Sequence, residues 1–327
     1  MSSLRWGILS TARIGKSVMK GIGLSHACCM QAVGSRDKTR AREWAKEHGI
    51  PRAFGSYEEL LTSGEVDAIY NPLPNSMHAE WTIKALEAGL PVLCEKPFTL
   101  NAAEARKVVK TAKKKKLPVA EAFMYRYHPV YDRVQTLIEE GAIGDVITIR
   151  SIFSFPLDEP GNIRLKPKLG GGALMDVGCY CVNFSRMMAR CEPDYASAFV
   201  RHKDVDRTVI GCLEFPNNLL AYFECSFETH DRSRAVVKGT NGTLILPSPW
   251  FPGEERAEII LRHGTQETRE YVTGANIYQL EIEDFVNACR THQPVRWPAE
   301  DAVANMAVID AIYRSAKERC PVKVGKA

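Results

Sequence analysis

Apolar runs alternate with amphipathic stretches over the first third of the chain. Apolar runs bounded by glycine and proline are typical of buried strands, and here they cover Leu4–Leu9, Met30–Gly34, Asp67–Tyr70, Pro91–Cys94 and Leu117–Ala120. The stretches between them have helical spacing of apolar positions, beginning near Gly15 and covering Ala41–His48, Tyr57–Leu61, Ala79–Ala88 and Ala102–Ala112. This alternation predicts an α/β domain with a doubly wound parallel sheet over residues 1–121.

The pattern changes at Asp145, where predicted strands begin to follow one another. Val146–Phe153 alternates apolar and polar side chains as a half-buried strand does. Two amphipathic helices are predicted later, over Ile277–Cys289 and Glu300–Ala316. These patterns indicate a second, α+β domain over residues 122–327 with a large, mainly antiparallel sheet. Its other predicted strands are Tyr195–Val200, Val209–Phe215, Leu219–Phe227, Ala235–Lys238, Thr243–Leu246 and Glu258–Leu261.

The turn after the first strand occupies the place of a dinucleotide-binding loop. Of the Gly-x-Gly-x-x-Gly pattern only Gly15 is present, because Ser10 and Ala12 stand where the first two glycines would be. Small residues still permit a tight turn, and the N-terminus of the following helix offers amide hydrogens to a pyrophosphate. The predicted cofactor contacts in this turn are Ser10, Thr11, Ala12, Arg13 and Ile14.

The end of the second strand distinguishes NAD from NADP. A carboxylate at this point accepts the ribose 2′-hydroxyl of NAD, whereas an arginine accommodates the 2′-phosphate of NADP. Here Ser35 and Arg36 follow the strand, Arg40 lies one turn into the next helix, and Asp37 is predicted to cap that helix. We predict NADP held by Ser35, Arg36 and Arg40, with NAD as the alternative. An ordinary surface role for Arg36 is the competing interpretation.

Two further loops follow strands of the same predicted sheet, where ligands bind in open α/β folds. The first runs from Asn71 to His78, and its prolines restrict the backbone enough to lie against a flat ligand. His78 is equally compatible with a helix-capping role. The second loop, Glu95-Lys96-Pro97, presents a lysine in a proline turn, although a plain ion pair between Glu95 and Lys96 fits the same residues. The predicted cofactor contacts are Asn71, Pro72, Leu73, Asn75, His78, Glu95 and Lys96.

A glycine-rich stretch introduces polar candidates in the second half. Gly170–Gly172 precede a predicted helix that carries Asp176 and Tyr180, and their four-residue spacing places both on one face. Consecutive glycines suit close approach of the backbone to a ligand. Arg164 lies shortly before them. From these residues alone, a structural role for Asp176 and Tyr180 competes with a catalytic one.

Composition restricts the class of partner. Charged residues make up 25% of the chain, hydrophobic residues 45%, and the net charge is +4, all ordinary for a soluble globular protein. The one basic run, Lys113–Lys116, falls at a predicted helix end, and the histidines show no metal-ligand spacing. We therefore expect neither nucleic-acid binding nor a metal site. Scattered cysteines and the lack of a membrane-length apolar stretch predict a cytoplasmic protein without membrane contact.

Several of these segments together resemble the Gfo/Idh/MocA oxidoreductase family. The matching pieces are Gly7–Gly15, the Asn71-Pro72 loop and Glu95-Lys96-Pro97. Glu121–Pro129 resembles the subgroup of dimeric dihydrodiol dehydrogenase and NADP-dependent xylose dehydrogenases. Asp176–Tyr180 is similar to the family's Asp-x-Gly-x-His element, with the tyrosine that this subgroup has in place of histidine. The resemblance implies a Rossmann-type first domain, C-terminal helices returning to it, and a homodimer or homotetramer formed through the second sheet.

The resemblance also implies a reaction, reversible hydride transfer between a nicotinamide and a carbinol carbon, foremost C1 of an aldopyranose to give the lactone. Lys96, Tyr180 and Asp176 are then expected to be catalytic, and Arg164, Tyr125 and Asp176 to bind the substrate. A free phenol has a pKa of about 10, which a nearby ammonium lowers, so Lys96 is expected to converge on Tyr180 and make it a base. The alternatives are a trans-dihydrodiol or anhydrosugar oxidoreductase and a non-catalytic NADP-binding regulatory protein.

Overall fold

A computed structural model describes residues 3–230 and 232–325, and it divides the chain into two compact units. The first unit takes in the chain up to Met124 together with Ile277–Val303. The second takes in Tyr125–Asn276 together with the chain from Ala304 onward. Each unit is therefore assembled from two separate stretches of sequence.

The first unit contains a parallel sheet whose strand order reverses once. In the described part of the chain the order is β3-β2-β1-β4-β5-β6, with every neighbouring pair parallel. The reversal lies between β1 and β4, and in open α/β sheets the crevice at such a point holds the ligand. The predicted doubly wound sheet is confirmed. The strands are β1 Leu4–Leu9, β2 Cys28–Gly34, β3 Arg52–Phe54, β4 Ala68–Asn71, β5 Val92–Glu95 and β6 Val119–Ala122.

Side-chain caps set the starts of several helices between these strands. Asp37 accepts a hydrogen bond from the backbone N–H of Arg40 at 3.0 Å, and Asn101 accepts one from Glu104 at 2.9 Å. Each bond satisfies a donor that the first helical turn leaves without a partner, so the predicted cap by Asp37 is confirmed. The helices are α1 Gly15–Leu24, α2 Lys38–His48, α3 Tyr57–Thr62, α4 His78–Glu87 and α5 Ala102–Lys115.

The second unit is built on a mixed sheet. Across the described residues the strand order is β14-β13-β12-β11-β7-β10-β9-β8-β15, and β7 and β10 form a parallel pair within an otherwise antiparallel arrangement. The predicted α+β domain with a mainly antiparallel sheet is confirmed. Its strands are β7 Val146–Ser154, β8 Tyr195–His202, β9 Asp206–Glu214, β10 Leu220–Ser226, β11 Arg232–Gly239, β12 Thr243–Leu246, β13 Arg256–His263, β14 Gln266–Thr273 and β15 Val322–Lys323.

Two helices of the second unit precede most of its strands. They are α6, Pro129–Glu139, and α7, Cys179–Ala189, which packs on β7 and β10. The opposite face of the sheet carries exposed apolar side chains, because burial alternates along β8 and β9. Phe199 and Ile210 lie directly opposite each other in the ladder and are 78% and 53% exposed. We call the exposed residues Tyr195, Phe199, Ile210, Leu220 and Tyr222 the open-face patch.

The two last helices are α8, Ile277–Thr291, and α9, Ala299–Glu318. In the first unit α8 packs against α1, and the ring of its Phe285 lies 5.4 Å from that of Trp6 on β1. Both rings belong to a core cluster that also contains Ile8 and Ile22. Burying one such side chain contributes about 1.5–3 kcal/mol. Helix α8 is therefore part of the core beneath the parallel sheet. No helix of the described chain is long and apolar enough to cross a membrane.

Replacing Gly21 by alanine is expected to lower the free energy of unfolding by about 1–3 kcal/mol. A Cβ atom at Gly21 would lie 2.8 Å from the backbone of Tyr278 and Gln279, so α1 and α8 would have to separate. Gly23 is the matched control, because it lies on the same helix with open space around the added methyl group. Gly23→Ala is expected to stabilise by up to about 1 kcal/mol through helix propensity. Thermal melts measure both, and equal effects would contradict this account of the α1–α8 contact.

Candidate functional site

The turn between β1 and α1 keeps the shape of a dinucleotide loop despite its missing glycines. Ser10 adopts φ of 91°, a region that glycine enters without steric cost, and its N–H donates to the Gly34 carbonyl at 2.7 Å. A Cβ atom at Gly15 would lie 2.7 Å from Ile8 Cδ1 and 3.3 Å from the Trp44 ring. Close packing of this helix on the sheet therefore requires Gly15, as in other dinucleotide loops. The residues present fit a bound pyrophosphate.

Cationic side chains gather where β2 ends. Ser35 is buried, and its hydroxyl accepts a hydrogen bond from the Asp37 N–H at 3.2 Å. Arg36 and Arg40 are exposed. Burial raises the pKa of the Tyr57 phenol, and the charges of Arg36 and Arg40 oppose that rise. Two guanidiniums beside a hydroxyl suit a phosphate ester.

The side chains of the loop after β4 hold the loop itself together. Asn71 is fully buried, and its amide donates to the His78 carbonyl at 3.2 Å and to the Thr82 hydroxyl at 3.0 Å. His78 is also buried, with Nδ1 2.8 Å from the Pro97 carbonyl oxygen and Nε2 2.6 Å from that of Leu73. Burial lowers the pKa of His78 to about 4, while the two carbonyls act in the opposite direction.

His78 therefore joins the loop after β4 to the turn after β5. The alternative role of His78 as the cap of α4 is wrong, because no side chain caps that helix at its N-cap position. The ring occupies its nitrogens with two backbone carbonyls instead. The other residues predicted to contact the cofactor differ in burial. Pro72 and Leu73 are buried, Arg13 is exposed, and the half-buried ones are Thr11, Ala12, Ile14 and Asn75.

Hydrogen bonds from several strands fix the turn that carries Lys96. The Tyr70 phenol donates to Glu95 Oε1 at 2.7 Å, and the Lys96 backbone N–H donates to Glu95 Oε2 at 3.2 Å. The Phe98 N–H donates to Glu121 Oε1 at 2.8 Å. Burial, followed by the charge of Glu95, raises the pKa of Tyr70 well above its usual value. Lys96 thus stands half-buried at the carboxyl end of β5, on the same sheet edge as Ser10 and the Asn71 loop.

The second unit holds the other predicted site residues. A single π-helical turn, Leu174–Gly178, leads directly into α7, and turns of this kind are frequent at functional sites. Asp176 lies in this turn, and its Oδ2 accepts a hydrogen bond from Arg164 Nε at 2.7 Å. The Asp176 side chain is 12% exposed and that of Arg164 41% exposed. The pair therefore presents a carboxylate and a guanidinium held in fixed relation.

Tyr180 lies in the first turn of α7, inside a group of aromatic rings. Only 4% exposed, it lies 5.6 Å from the ring of Tyr125, 5.4 Å from that of Phe153 and 5.7 Å from that of Trp250. The Tyr125 phenol donates to Asn183 Oδ1 at 2.6 Å. We call Tyr125, Phe153, Tyr180 and Trp250 the aromatic cluster. It restricts the orientation of the Tyr180 ring, because each neighbour packs against one of its faces or edges.

Sequence reasoning missed two members of this cluster. Phe153 lies on β7, and Trp250 comes from the loop after β12, so no motif joins them to Tyr180. The Trp250 indole N–H donates to the Ile152 carbonyl at 3.1 Å, which locks the ring in place. Phe251, 54% exposed, lies 6.5 Å from Phe153 and extends the cluster outward.

The consecutive glycines before the π turn have contacts within their own unit. A Cβ atom at Gly171 would lie 2.4 Å from the Arg164 carbonyl oxygen. Gly172 has φ of 133°, and a Cβ atom there would lie 2.1 Å from Asp206 Oδ1. These glycines let the segment that carries Arg164 and the buried Asp206 carboxylate approach the start of the helix.

Lys96 belongs to the first unit and Tyr180, Asp176, Arg164 and Tyr125 to the second. The structure brings the last four into one region of the second unit, through the Arg164–Asp176 ion pair and the aromatic cluster. The expectation that Lys96 converges on Tyr180 stays a prediction. Within the described residues, no group of three or more histidine, cysteine, aspartate or glutamate side chains has the arrangement of a metal site.

Comparison with known proteins relates both halves of the chain to one group of oxidoreductases. A model of an oxidoreductase family with an NAD-binding Rossmann fold, GFO/IDH/MocA, matches residues 4–123. The model of the GFO/IDH/MocA C-terminal domain matches residues 131–245. D-xylose 1-dehydrogenase (NADP(+)) 2 of Haloferax volcanii is 39% identical over 98% of this chain and 100% of that protein. Trans-1,2-dihydrobenzene-1,2-diol dehydrogenase of Xenopus laevis is 36% identical over 76% of this chain and 77% of that protein.

Solved structures share the fold. KijD10, a 3-ketoreductase from Actinomadura kijaniata in complex with NADP and TDP-benzene, superposes with a TM-score of 0.92 at 25% identity, covering 96% of this chain and 98% of that one. An aldose-aldose oxidoreductase from Caulobacter crescentus complexed with glycerol superposes with a TM-score of 0.91 at 24% identity, covering 98% and 100%. The likeness extends over both units.

Proposed function

Because this chain belongs to the Gfo/Idh/MocA oxidoreductase family, we propose that it is an NADP-dependent dehydrogenase that oxidises the C1 carbinol of an aldopyranose to the lactone. The family makes it an NAD(P)-dependent oxidoreductase with a Rossmann nucleotide-binding domain. The finer proposal rests on the placement of Tyr180. Its phenol is held by the aromatic cluster, and it lies one helical turn after Asp176, which pairs with Arg164. The relative named as an NADP(+)-dependent D-xylose 1-dehydrogenase, 39% identical over nearly the whole chain, supports it.

The preference for NADP rests on the end of β2. Ser35, Arg36 and Arg40 would hold the 2′-phosphate, and Ser10 to Ile14 with the N-terminus of α1 would hold the pyrophosphate. The loop after β4, stiffened by Asn71 and His78, would support the nicotinamide end. When bound, the nicotinamide supplies the hydride chemistry.

In this proposal Tyr180 takes the hydroxyl proton of the substrate as hydride leaves the same carbon. Lys96 stabilises the phenolate, since a nearby cation favours the charged form of a phenol, and it also stabilises the developing carbonyl oxygen. Asp176 accepts hydrogen bonds from sugar hydroxyls, and Arg164 fixes the direction of that carboxylate. General acid–base assistance of this kind contributes about 10²–10⁴ in rate.

A second candidate, a trans-dihydrodiol dehydrogenase, is favoured by the aromatic surroundings of Tyr180. Phe153 is half-buried and Phe251 is 54% exposed, so apolar ring surface extends outward from the phenol. Such surface packs on a flat hydrocarbon ring, whereas a pyranose has hydroxyls to satisfy at its edges. A relative named trans-1,2-dihydrobenzene-1,2-diol dehydrogenase at 36% identity also supports this candidate.

A substrate panel separates these proposals. D-xylose, D-glucose, an anhydrosugar and a trans-dihydrodiol of benzene are each incubated with NADP or NAD, and NADPH or NADH is followed by absorbance. We expect turnover of an aldopyranose with NADP, and chromatography should identify the lactone. Turnover confined to the dihydrodiol would transfer the assignment to the second candidate. NADP binding without turnover of any compound would indicate a non-catalytic NADP-binding protein.

We further propose that two copies of the chain associate through the open-face patch. Its five apolar side chains are exposed on strands β8, β9 and β10, and contiguous apolar surface of this kind commonly marks an interface between proteins. A second copy presents the same patch, so a two-fold arrangement pairs apolar surface with apolar surface. The proposed interface is formed by the second unit alone.

The double substitution Phe199→Glu and Ile210→Glu is expected to convert the oligomer into a monomer. Two adjacent carboxylates would lose their hydration if the patch were covered, which is costly. Sedimentation velocity measures the change. Leu24→Glu, an exposed apolar residue on α1, is the control and should leave the association state unchanged. A wild-type monomer, or a double variant that still associates, would contradict the proposal.

A further inference from the structure

The buried carboxylate of Asp206 contacts the start of the helical segment that carries Asp176 and Tyr180. Asp206, the first residue of β9, is only 3% exposed. Its Oδ2 accepts a hydrogen bond from the Leu174 backbone N–H at 2.7 Å, and its Oδ1 accepts one from the Tyr313 phenol on α9 at 3.0 Å. Both bonds come from groups that require a partner when buried.

The bond to Leu174 is a helix cap supplied from a distant strand. Leu174 opens the π turn, and the residue before it, Ala173, has no side chain that can cap the turn. The first N–H groups of a helix lack intrahelical partners, and a negative charge near them is favoured by the helix dipole. Asp206 provides both the acceptor and the charge.

The glycine just before the π turn leaves space for this carboxylate. A side chain at Gly172 would collide with Asp206 Oδ1, and its φ of 133° also disfavours any other residue. Burial raises the pKa of Asp206, whereas the bonds from Leu174 and Tyr313 and the nearby His202 lower it. These bonds are ones that the ionised form accepts best.

We propose that Asp206 is a positioning residue for the reaction. It fixes where the π turn begins, and thereby the direction of the Asp176 side chain and the position of Tyr180 along the helix axis. The inference rests on the proposed function of those two residues. Leu174 is two residues before Asp176, so a change in how the turn begins moves Asp176 first and the start of α7 next. Displacement of reacting groups by about 1 Å can cost about 100-fold in rate.

Asp206→Ala, Asp206→Asn and Tyr313→Phe together test this role. Asp206→Ala leaves the Leu174 N–H without its acceptor and is expected to lower kcat about 10- to 100-fold, with KM for NADP unchanged. Asp206→Asn keeps an oxygen that accepts from the Leu174 N–H, and its amide N–H then donates to the Tyr313 oxygen, so kcat is expected to return to within a few-fold of wild type. Tyr313→Phe removes only the donor to the other oxygen and is the matched control.

A second readout does not depend on catalysis. In Asp206→Ala, hydrogen exchange of the peptide that contains Leu174, followed by mass spectrometry, is expected to be roughly tenfold faster, and unchanged in Asp206→Asn. If Asp206→Ala fails to fold, Asp206→Ser replaces it, and the same loss of kcat and faster exchange are expected. The serine side chain is one bond shorter than that of aspartate, so its oxygen does not reach the Leu174 N–H.

Two results would overturn the inference. One is a Tyr313→Phe variant that reproduces the loss of kcat, since Asp206 would then act only by joining α9 to β9. The other is an Asp206→Ala variant with lower thermal stability but with kcat and exchange at Leu174 unchanged. If the wild-type chain turned over no substrate, the proposed function would fail on its own, and the exchange measurements would still decide whether Asp206 holds the turn.

Discussion

Tyr180→Phe is expected to lower kcat by about 10²–10⁴, the contribution typical of a positioned general base. The substitution removes one oxygen and keeps the ring, so the contacts of the aromatic cluster at 5.4–5.7 Å should survive. Lys96→Ala is expected to produce a loss of the same order, because the proposed ammonium that favours the charged form of the phenol would be absent. Steady-state rates of NADPH formation at saturating sugar measure both.

NADP binding should remain in both variants, and fluorescence titration checks it. Tyr131→Phe is the control for loss of a phenol, since Tyr131 is buried near the same cluster but donates to the Pro249 carbonyl. Lys110→Ala, on the exposed side of α5, is the control for loss of an ammonium. Near-normal turnover in Tyr180→Phe would exclude this phenol as the base, and a double variant no worse than either single one would indicate that the two residues act as a unit.

Arg36→Ala is expected to raise the dissociation constant for NADP about 10- to 100-fold while leaving that for NAD nearly unchanged. Hydrogen bonds to charged groups contribute about 1.5–3 kcal/mol, and about 1.4 kcal/mol corresponds to a tenfold change in affinity. The 2′-phosphate is the only group that distinguishes the two cofactors, so the ratio of their affinities isolates the effect. Isothermal titration with each cofactor provides the measurement.

Arg42→Ala is the matched control, because Arg42 lies in the first half of α2, close in sequence to Arg36, and is also exposed but belongs to no predicted contact. A parallel weakening of NADP and NAD in Arg36→Ala would show that Arg36 supports the fold of the β2–α2 turn instead of reading the 2′-phosphate. Tighter binding of NAD than NADP by the wild-type protein would reverse the cofactor assignment.

The hydrophobic pattern of the sequence predicted the elements whose apolar side chains pack into a core. Strands β1, β4, β5 and β6 were recognisable because they are buried on both faces and stop at turn signals, whereas β3, which is exposed to half-buried, was not predicted. Strand β14 was missed because its residues, Gln266–Thr273, are mostly polar and exposed. It forms the edge of its sheet, where backbone pairing with β13 needs no apolar face and charges such as Glu267 and Arg269 discourage further pairing.

The candidate site shows the same limit in its side chains. Asn71 and His78 stand in a loop that the sequence predicts to belong to the site, yet their partners Thr82 and the Pro97 carbonyl are separated from them in sequence. Phe153 and Trp250 have no motif at all, because only the folded sheet brings them to Tyr180. Local patterns identify which residue types carry chemistry, whereas the groups that orient them come from distant strands.

Asp206 illustrates this most directly. Nothing in its sequence neighbourhood marks it as a capping residue for a turn that begins more than thirty positions earlier at Leu174. The one available signal was Gly172, whose lack of a side chain is required by that carboxylate.

The position of α8 has a consequence for synthesis on the ribosome. When translation has reached Met124, all strands of the parallel sheet exist, but the helix that covers Trp6 has not been made. Residues up to Asn276 must be added first, which at typical elongation rates takes on the order of ten seconds. During that interval the nascent first unit exposes an apolar face, so it is a natural client for chaperones that bind growing chains.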